Sequence, residues 1–354
     1  MVHNHAPCPL PVTAASTAPA VLPDVDTEAA TDELTVKIGA VVVTFNPDRE
    51  HLAQVVAAIA PQVSAVALVD NGSAIPPVLR IQDPLPVPLE LYSLGDNYGI
   101  AAAQNIGIAW ARQSGFTHVL LLDHDAVAAP GMVTALLEEM QQRAARGEKV
   151  AGVGPLIRDP RRAAPAPFFR LTGWGLRRLD APDPGENSAR TDFLISAGAL
   201  LSLAALDAMG AMEEALFIDY VDLEWSLRAR RHGYRLYGHF GTTLDHRLGD
   251  EPLRLFGRAM TTHSPLRHYY LVRNAITLWR MPHTPWGWII PDALHLLRKA
   301  FLLALLSPQR GEHLCMMLRG LRDGLAGHQG RIDQARRGWQ VPPGVREIAP
   351  RRVG

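Results

Sequence analysis

Three times in its first 130 residues the chain runs through an unbroken apolar stretch and stops abruptly at polar side chains. VVVTFN (41–46) ends in Thr44 and Asn46, ALVDNGS (67–73) in Asp70, and HVLLLDHDA (118–126) in Asp123 and Asp125. Apolar runs without alternation fit strands buried on both faces. Between and after them, 48–60, 97–115 and 130–146 carry apolar residues at helical spacing; Ile100, Ala103, Ile106 and Trp110 are an example. Strands alternating with helices predict a parallel sheet with right-handed crossovers. In such sheets ligands bind beyond the carboxyl ends of the strands, where all these polar residues fall. One such ending reads most simply as a turn, since Asn71-Gly72 is a strong turn signal. Three in order call for a common cause.

The 354 residues, 47% hydrophobic, are enough for one large domain or two smaller ones. Lys plus Arg equal Asp plus Glu at 35 each, so bulk charge gives no reason to expect nucleic acid. Two cysteines, Cys8 and Cys315, predict no structural disulfide and fit a cytoplasmic setting. Residues 1–35 lack both the basic start and the apolar centre of a signal peptide and read as a disordered tail. The sheet-bearing domain is expected over 36–263, helices over 264–330 and a basic tail over 331–354. A further strand is expected within 85–94 and another within 234–246, a helix over 222–232, and irregular loop over 160–190.

Several motifs carry possible chemistry. Asp123 and Asp125, one residue apart on a turn, can share a hard divalent cation with phosphate oxygens. Alone, such a pair is more often a solvated turn; its place at the end of a buried strand adds weight. In GDNYGIAAAQNIG (95–107), Gly99 and Gly107 permit close backbone approach. Asn105 needs a partner if buried, and can equally be a satisfied core asparagine. The glycine spacing is not the dinucleotide fingerprint. FIDYVDLEWSLRARRHG (217–233) holds Asp219, Asp222 and Glu224. Asp222 opens a helix, where an acid commonly serves only as a cap. His246, after a strand, is a possible metal ligand.

Taken in order, VVVTFNP, VDNGS, GDNYGIAAAQNIG, LLLDHDA, FLISAGALLS, FIDYVDLEWSLRARRHG, the His246 segment and SPLRHYYLVRNAI resemble family-2 inverting glycosyltransferases of the GT-A fold, most closely bacterial rhamnosyltransferases. The resemblance covers about 36–280. It implies an α/β fold with a Rossmann-like, mainly parallel sheet flanked by helices, followed by a C-terminal helical region. It implies that Asp70 contacts the nucleotide base and that Thr44, Asn46, Asn97, Gly99, Asn105 and Asp123 line the nucleotide-sugar site. It makes Asp123 and Asp125 ligands for Mg²⁺ or Mn²⁺ and the diphosphate, helped by His246, and Asp222 the general base. Many relatives have Glu-Asp where this chain has Val221-Asp222, so Glu224 stands as the fallback. The implied reaction moves rhamnose from a dTDP- or UDP-sugar donor to a glycan or lipid-linked acceptor in cell-surface polysaccharide synthesis. The rival readings are a nucleotidyltransferase, for which the Gly-rich loop after the first strand is missing, and a non-catalytic sugar-nucleotide-binding protein. WGWIIPDALHLLRKAFLLALL (286–306) is too interrupted by Asp292, His295, Arg298 and Lys299 to span a bilayer. It reads either as a buried helix or as an amphipathic helix at the inner leaflet, with Arg298 and Lys299 toward anionic lipid.

Overall fold

The computed structural model of the chain describes residues 36–77, 84–173, 175–247, 253–255, 258–260 and 263–352. It begins with β1 (Ile38–Thr44), α1 (Arg49–Ile59), β2 (Ala65–Asp70), β3 (Leu89–Ser93), α2 (Ile100–Gln113) and β4 (His118–Asp123). Every residue of β1 and β2 is buried, as their unalternating sequence requires. Ile38, Ala40 and Val42 belong to one core with Leu52, Val56 and Ile59 of α1; Val41 and Val43 belong to a second core with α2. β1 pairs in parallel with both β2 and β4, and β2 with β3. Gly107 lets α2 lie directly on β1, since a Cβ there would overlap the Val41 side chain.

The chain continues through β5 (Ala126–Ala128), α3 (Met132–Ala145), β6 (Val150–Arg158), β7 (Phe168–Thr172), β8 (Gly175–Leu179), β9 (Ser188–Thr191), β10 (Leu200–Ser202), α4 (Leu203–Met209), α5 (Val221–Arg231) and β11 (Arg235–His246). β10 slots antiparallel between β4 and β6, while β6 and β11 run parallel. After β12 (Leu253–Leu255) and β13 (Arg258–Met260) come α6 (Pro265–Trp279), α7 (Trp286–Leu306), α8 (Arg310–Ala326) and β14 (Arg351–Arg352). The sheet order is β14-β3-β2-β1-β4-β10-β6-β11-β5, with β9 paired to β11. This is the expected α/β architecture with its C-terminal helices.

Two sequence expectations need correction. The stretch 160–190 is not irregular: β7 and β8 form a hairpin and β9 joins the sheet. Its order comes from contacts distant in sequence. Arg170 Nε donates to Arg190 O at 2.9 Å, Thr191 Oγ1 to Phe169 O at 2.7 Å, and the Phe169 and Phe193 rings stack at 5.6 Å. Local composition, rich in Arg and Pro, conceals such pairing. In α7 the expected outward placement holds for Arg298 but not for Lys299. Asp292 and Lys299 turn inward and are 8% and 9% exposed. The outward stripe is Trp286, Ile290, Leu294, Leu297, Phe301 and Leu305, with exposed Arg298 beside it. Among the described residues no helix is long and apolar enough to cross a membrane. Beyond residue 330, Trp339, Val341 and Val345 are buried in the core that contains α2.

One interaction sets the loop before α5. Phe217, Asp219 and Tyr220 all have positive φ, at 66°, 61° and 65°. Phe217 (ψ −63°) centres a strained γ-turn in which Ile218 N donates to Leu216 O at 2.8 Å. Such conformations cost about 1–3 kcal/mol each and persist only where surroundings impose them. Arg273 and Asn274 of α6, both fully buried, supply that imposition. Asn274 Nδ2 reaches the carbonyls of Leu216 (2.8 Å), Ile218 (2.6 Å) and Asp219 (3.1 Å). Arg273 donates to Leu216 O at 2.9 Å, to Gly330 O, and through Nε to Asn274 Oδ1 at 2.8 Å. Replacing Asn274 by Ala leaves buried carbonyls unpaired and should lower unfolding stability by about 2–3 kcal/mol in urea titrations. Asn274→Asp, which sets a carboxylate against carbonyl oxygens, should lose more. Wild-type stability in both variants would show that the loop holds itself.

Candidate active site

The strand register brings the polar ends together. Thr44 lies opposite Asp70, and Asp70 opposite Ser93, while Asp123 pairs one position back with Val43. Above this edge opens a cavity of about 660 Å³ whose wall includes Thr44, Asn97, Gly99, Asp123, Asp125, Asp222 and His246. Seven of the residues expected from the sequence thus share one cavity. Gly99, at φ 90°, must be glycine because a Cβ would overlap the Phe217 carbonyl, which accepts from Ile100 N at 2.8 Å.

Asn46, Asp70, Asn105 and Glu224 are not part of this wall. Asp70 is 2% exposed. Its Oδ1 accepts from Thr44 Oγ1 at 3.0 Å and from Ser73 Oγ, and its Oδ2 from Ser73 N at 3.3 Å. Asn46, at φ 46°, donates through N to Ser73 Oγ (2.7 Å) and accepts from Ala74 N (2.9 Å). The VDNGS turn is therefore tied to the end of β1. Asn97 Oδ1 accepts from Gly99 N (3.0 Å) and from Asn71 Nδ2 (3.1 Å), fixing the entry to α2. Asn105 turns away: its amide donates to Met212 O (3.0 Å) and Glu214 Oε1 (2.9 Å) and accepts from Met212 N (2.8 Å). It is a satisfied structural asparagine.

Asp123, Asp125 and His246 converge because β5, starting just after Asp125, pairs with the end of β11 and sets Ala126 opposite His246. One possible ligand atom from each lies within 4.8 Å of the others. His246 Nε2 is 3.5 Å from Asp123 Oδ2, and Nδ1 is 3.1 Å from Asp125 Oδ1. Nδ1 is nevertheless buried without a hydrogen bond of normal geometry. Two carboxylates and an under-used imidazole form a donor set that suits Mg²⁺ or Mn²⁺, the nitrogen favouring Mn²⁺. Burial pushes Asp123 above the usual carboxylate range, only partly offset by His246. For Asp125 burial acts the same way, but His246 outweighs it and the carboxyl is held low. Burial alone would lower His246; the two carboxylates prevail and raise it.

Asp222 stands at the N-terminus of α5, with Oδ1 accepting from Leu223 N at 2.9 Å and Oδ2 from Ser196 N at 3.3 Å. Burial raises its carboxyl to about 6 against these backbone bonds, with Asp219 and Asp123 adding to the rise. Glu224, the fallback, faces elsewhere. It is 2% exposed, forked onto Arg228 (2.9 and 2.8 Å), and 3.0 Å from His283 Nε2. Burial would raise it, but His283 and Arg228 hold it below the usual range. Two residues in the wall escaped sequence reasoning: Arg267, near the start of α6, and Asp219, noticed but given no role. They form a forked ion pair at 3.0–3.2 Å. Their only local signal is that both lie in motifs already notable for other reasons. The pair itself depends on α6 folding back over the sheet edge.

Known proteins are similar to this chain in sequence and in fold. The family model "Glycosyl transferase family 2" matches residues 40–167. The chain is 30% identical over 293 residues to dTDP-rhamnosyl transferase RfbF of Shigella flexneri, covering 83% of this chain and 97% of that protein. It is 27% identical over 212 residues to the uncharacterized protein Mb1552 of Mycobacterium bovis, covering 58% and 71%. Among solved structures, S. aureus TarS 1-349 in complex with UDP-GlcNAc superposes with a TM-score of 0.51 at 14% identity, covering 82% of this chain and 81% of that one, a likeness of fold. With the relative matched along nearly its whole length and the strand-end site assembled as described, the chain belongs to glycosyl transferase family 2 and is a glycosyltransferase.

Proposed function

We propose that the protein transfers rhamnose from dTDP-rhamnose to an acceptor hydroxyl with inversion, in the assembly of a cell-surface glycan. The observation that carries this reading is the position of Asp222. It lines the 660 Å³ cavity and also a second cavity of about 270 Å³ bounded by Asp219, Tyr220, Leu223 and α7. A base between two chambers can face a donor on one side and an acceptor on the other. The donor sugar is carried over from the name of the Shigella flexneri relative, matched over 97% of its length. A UDP-sugar is the alternative donor.

Asp222 takes the acceptor hydroxyl proton as that oxygen bonds to the anomeric carbon and the bond to the nucleoside diphosphate breaks. No covalent enzyme intermediate is required. A carboxyl near 6 is largely ionised at neutral pH yet basic enough for the task. Asp123, Asp125 and His246 would hold Mg²⁺ or Mn²⁺. When bound, the ion supplies positive charge against the departing diphosphate. Thr44, Asn97 and Gly99 frame the nucleotide end. Asp70, buried behind the wall, fixes that end through the Ser73 turn. The outward apolar stripe of α7, with exposed Leu318, Leu321 and Leu325 of α8, suits peripheral attachment at the inner leaflet.

Asp123→Ala, Asp125→Ala and His246→Ala should each weaken Mn²⁺ binding by about 10–100-fold or more with the fold preserved, as read by calorimetry and circular dichroism. Unaltered Mn²⁺ affinity in all of them would sink the metal assignment.

Asp222→Asn should cut turnover by about 10²–10⁴-fold while the donor dissociation constant stays near wild type. In the wild type, turnover should fall as pH drops through about 6. The stability sign runs the other way. The fold binds this proton more tightly than the unfolded chain, so ionised Asp222 costs stability above pH 6 and nothing below about 4. Asp222→Asn should therefore raise the melting temperature at pH 7.5 and leave it near wild type at pH 4. Glu224→Gln, which breaks a buried pair, should lower it. Should Glu224→Gln abolish turnover in a stably folded protein while Asp222→Asn does not, the base is misassigned.

A further inference from the structure

Three histidines lie together on α6 and α8, and the proposed chemistry uses none of them. His268 of α6 is 1% exposed and His313 of α8 is 6% exposed. Their Nδ1 atoms are 2.8 Å apart, and their rings meet edge to face at 4.8 Å. His263, just before α6, adds a third ring 6.3 Å from that of His268. His268 Nε2 and His263 Nδ1 are buried without a hydrogen-bond partner.

A contact between two Nδ1 atoms at this distance holds one proton: one ring donates and the other accepts. The arrangement that leaves no buried N–H unpaired at His268 has its Nδ1 donating to His313 Nδ1, with His268 Nε2 bare. Both rings are then neutral. A further proton on His313 Nδ1 sets two N–H groups against each other. A further proton on His268 Nε2 makes a buried N–H with no acceptor. The surrounding charge opposes protonation too. Among the described residues, Arg267 of α6 and Lys299 of α7 are the cations that act on these rings, and Glu312 of α8 is the acid. Glu312 is exposed and acts on His313, and the nearby Asp219 is already forked onto Arg267. Burial, helped by these cations, pushes His263 and His268 down to about 3. Burial also lowers His313, against Glu312.

The pair sits at one end of a tight helix contact. Gly320 and Gly324 of α8 lie on the backbone of α6: a Cβ at the first would overlap Tyr269 O, and one at the second would press on Arg273 O. α8 therefore backs the stretch of α6 that runs from His268 to the Arg273–Asn274 clamp. Arg267, next to His268, holds Asp219 in the wall of the active-site cavity.

We propose that the His268–His313 pair is a proton-sensitive latch between α6 and α8: it closes only with both rings neutral, and mild acid favours an opened form in which α6, with Arg267 and the clamp, loses its backing. Opening gives the rings to water, where an imidazole takes up a proton below about pH 6.5. A ring held neutral in the closed form but free to charge in the open one costs nothing well above that pH. Below it, the open form gains protons that the closed form excludes. From pH 7.5 to 5.5 each such ring multiplies the open population about 10-fold. This inference goes beyond the glycosyl-transfer reading and does not depend on it.

Hydrogen exchange of the full chain tests the latch, read on peptides from α6 and α8 at pH 7.5 and 5.5 with exposure times scaled for the intrinsic exchange rate. His313→Asn keeps an acceptor near the Nδ1 position and His268→Asn keeps a donor there, and neither new side chain titrates. Between the two pH values, protection in the wild type should fall about 10-fold more than in either variant. If one variant does not fold, the other decides. Equal loss of protection in the wild type and a folded variant overturns the latch, as does a wild type whose α6 and α8 are as protected at pH 5.5 as at pH 7.5. Peptides from β1 and β2 should stay protected in the wild type at pH 5.5. If they open together with α6, acid unfolds the whole chain and the pair is no local latch.

Discussion

The site depends on a clamp between α6 and the loop 215–219. A backbone with three positive-φ side chains in four residues does not hold its shape unaided. Arg273 and Asn274 fix it by donating to carbonyls that the loop's own geometry leaves unpaired. The consequences spread in both directions. Phe217 O receives the first turn of α2 through Ile100 N, and Gly99 can approach only because it lacks a Cβ. Asp219 is presented to Arg267, and Asp222 enters α5 facing the cavity. The clamp thus makes the C-terminal helices part of the site although they contribute few of its walls.

Two acids two residues apart on α5 show how environment divides roles. Asp222 meets two backbone N–H groups and no cation, so burial dominates and its carboxyl titrates near 6. Glu224 meets Arg228 and His283, so its charge is locked in and it serves to bind α5 to its neighbours. Pairs of carboxyls pushed apart in this way are how one fold separates chemistry from support.

Much of this was legible in the sequence. Runs such as VVVT and HVLLLD fit strands buried on both faces, and their alternation with helical stretches placed Thr44, Asp123 and Asp125 at one sheet edge. The choice between Asp222 and Glu224 was not settled by local pattern, since it turns on Arg228, His283 and Ser196, which only packing brings near. Asn105 looked equally able to serve a ligand or the core, and its partners Met212 and Glu214 lie more than a hundred positions away. The β7–β8 hairpin and the inward turn of Lys299 were hidden for the same reason: side-chain direction in α7 is set by what α7 packs against, not by its own composition.

The pairing of β5 with β11 has a consequence for how the protein matures. His246 reaches the two aspartates only in the register that sets it opposite Ala126. A slip of one residue would send its side chain to the other face of the sheet. The strand bearing Asp123 and the strand bearing His246 are far apart in sequence, so their meeting is late and carries a large loop-closure cost. The carboxylate–histidine cluster is therefore complete only when β11 pairs with β5 in this register.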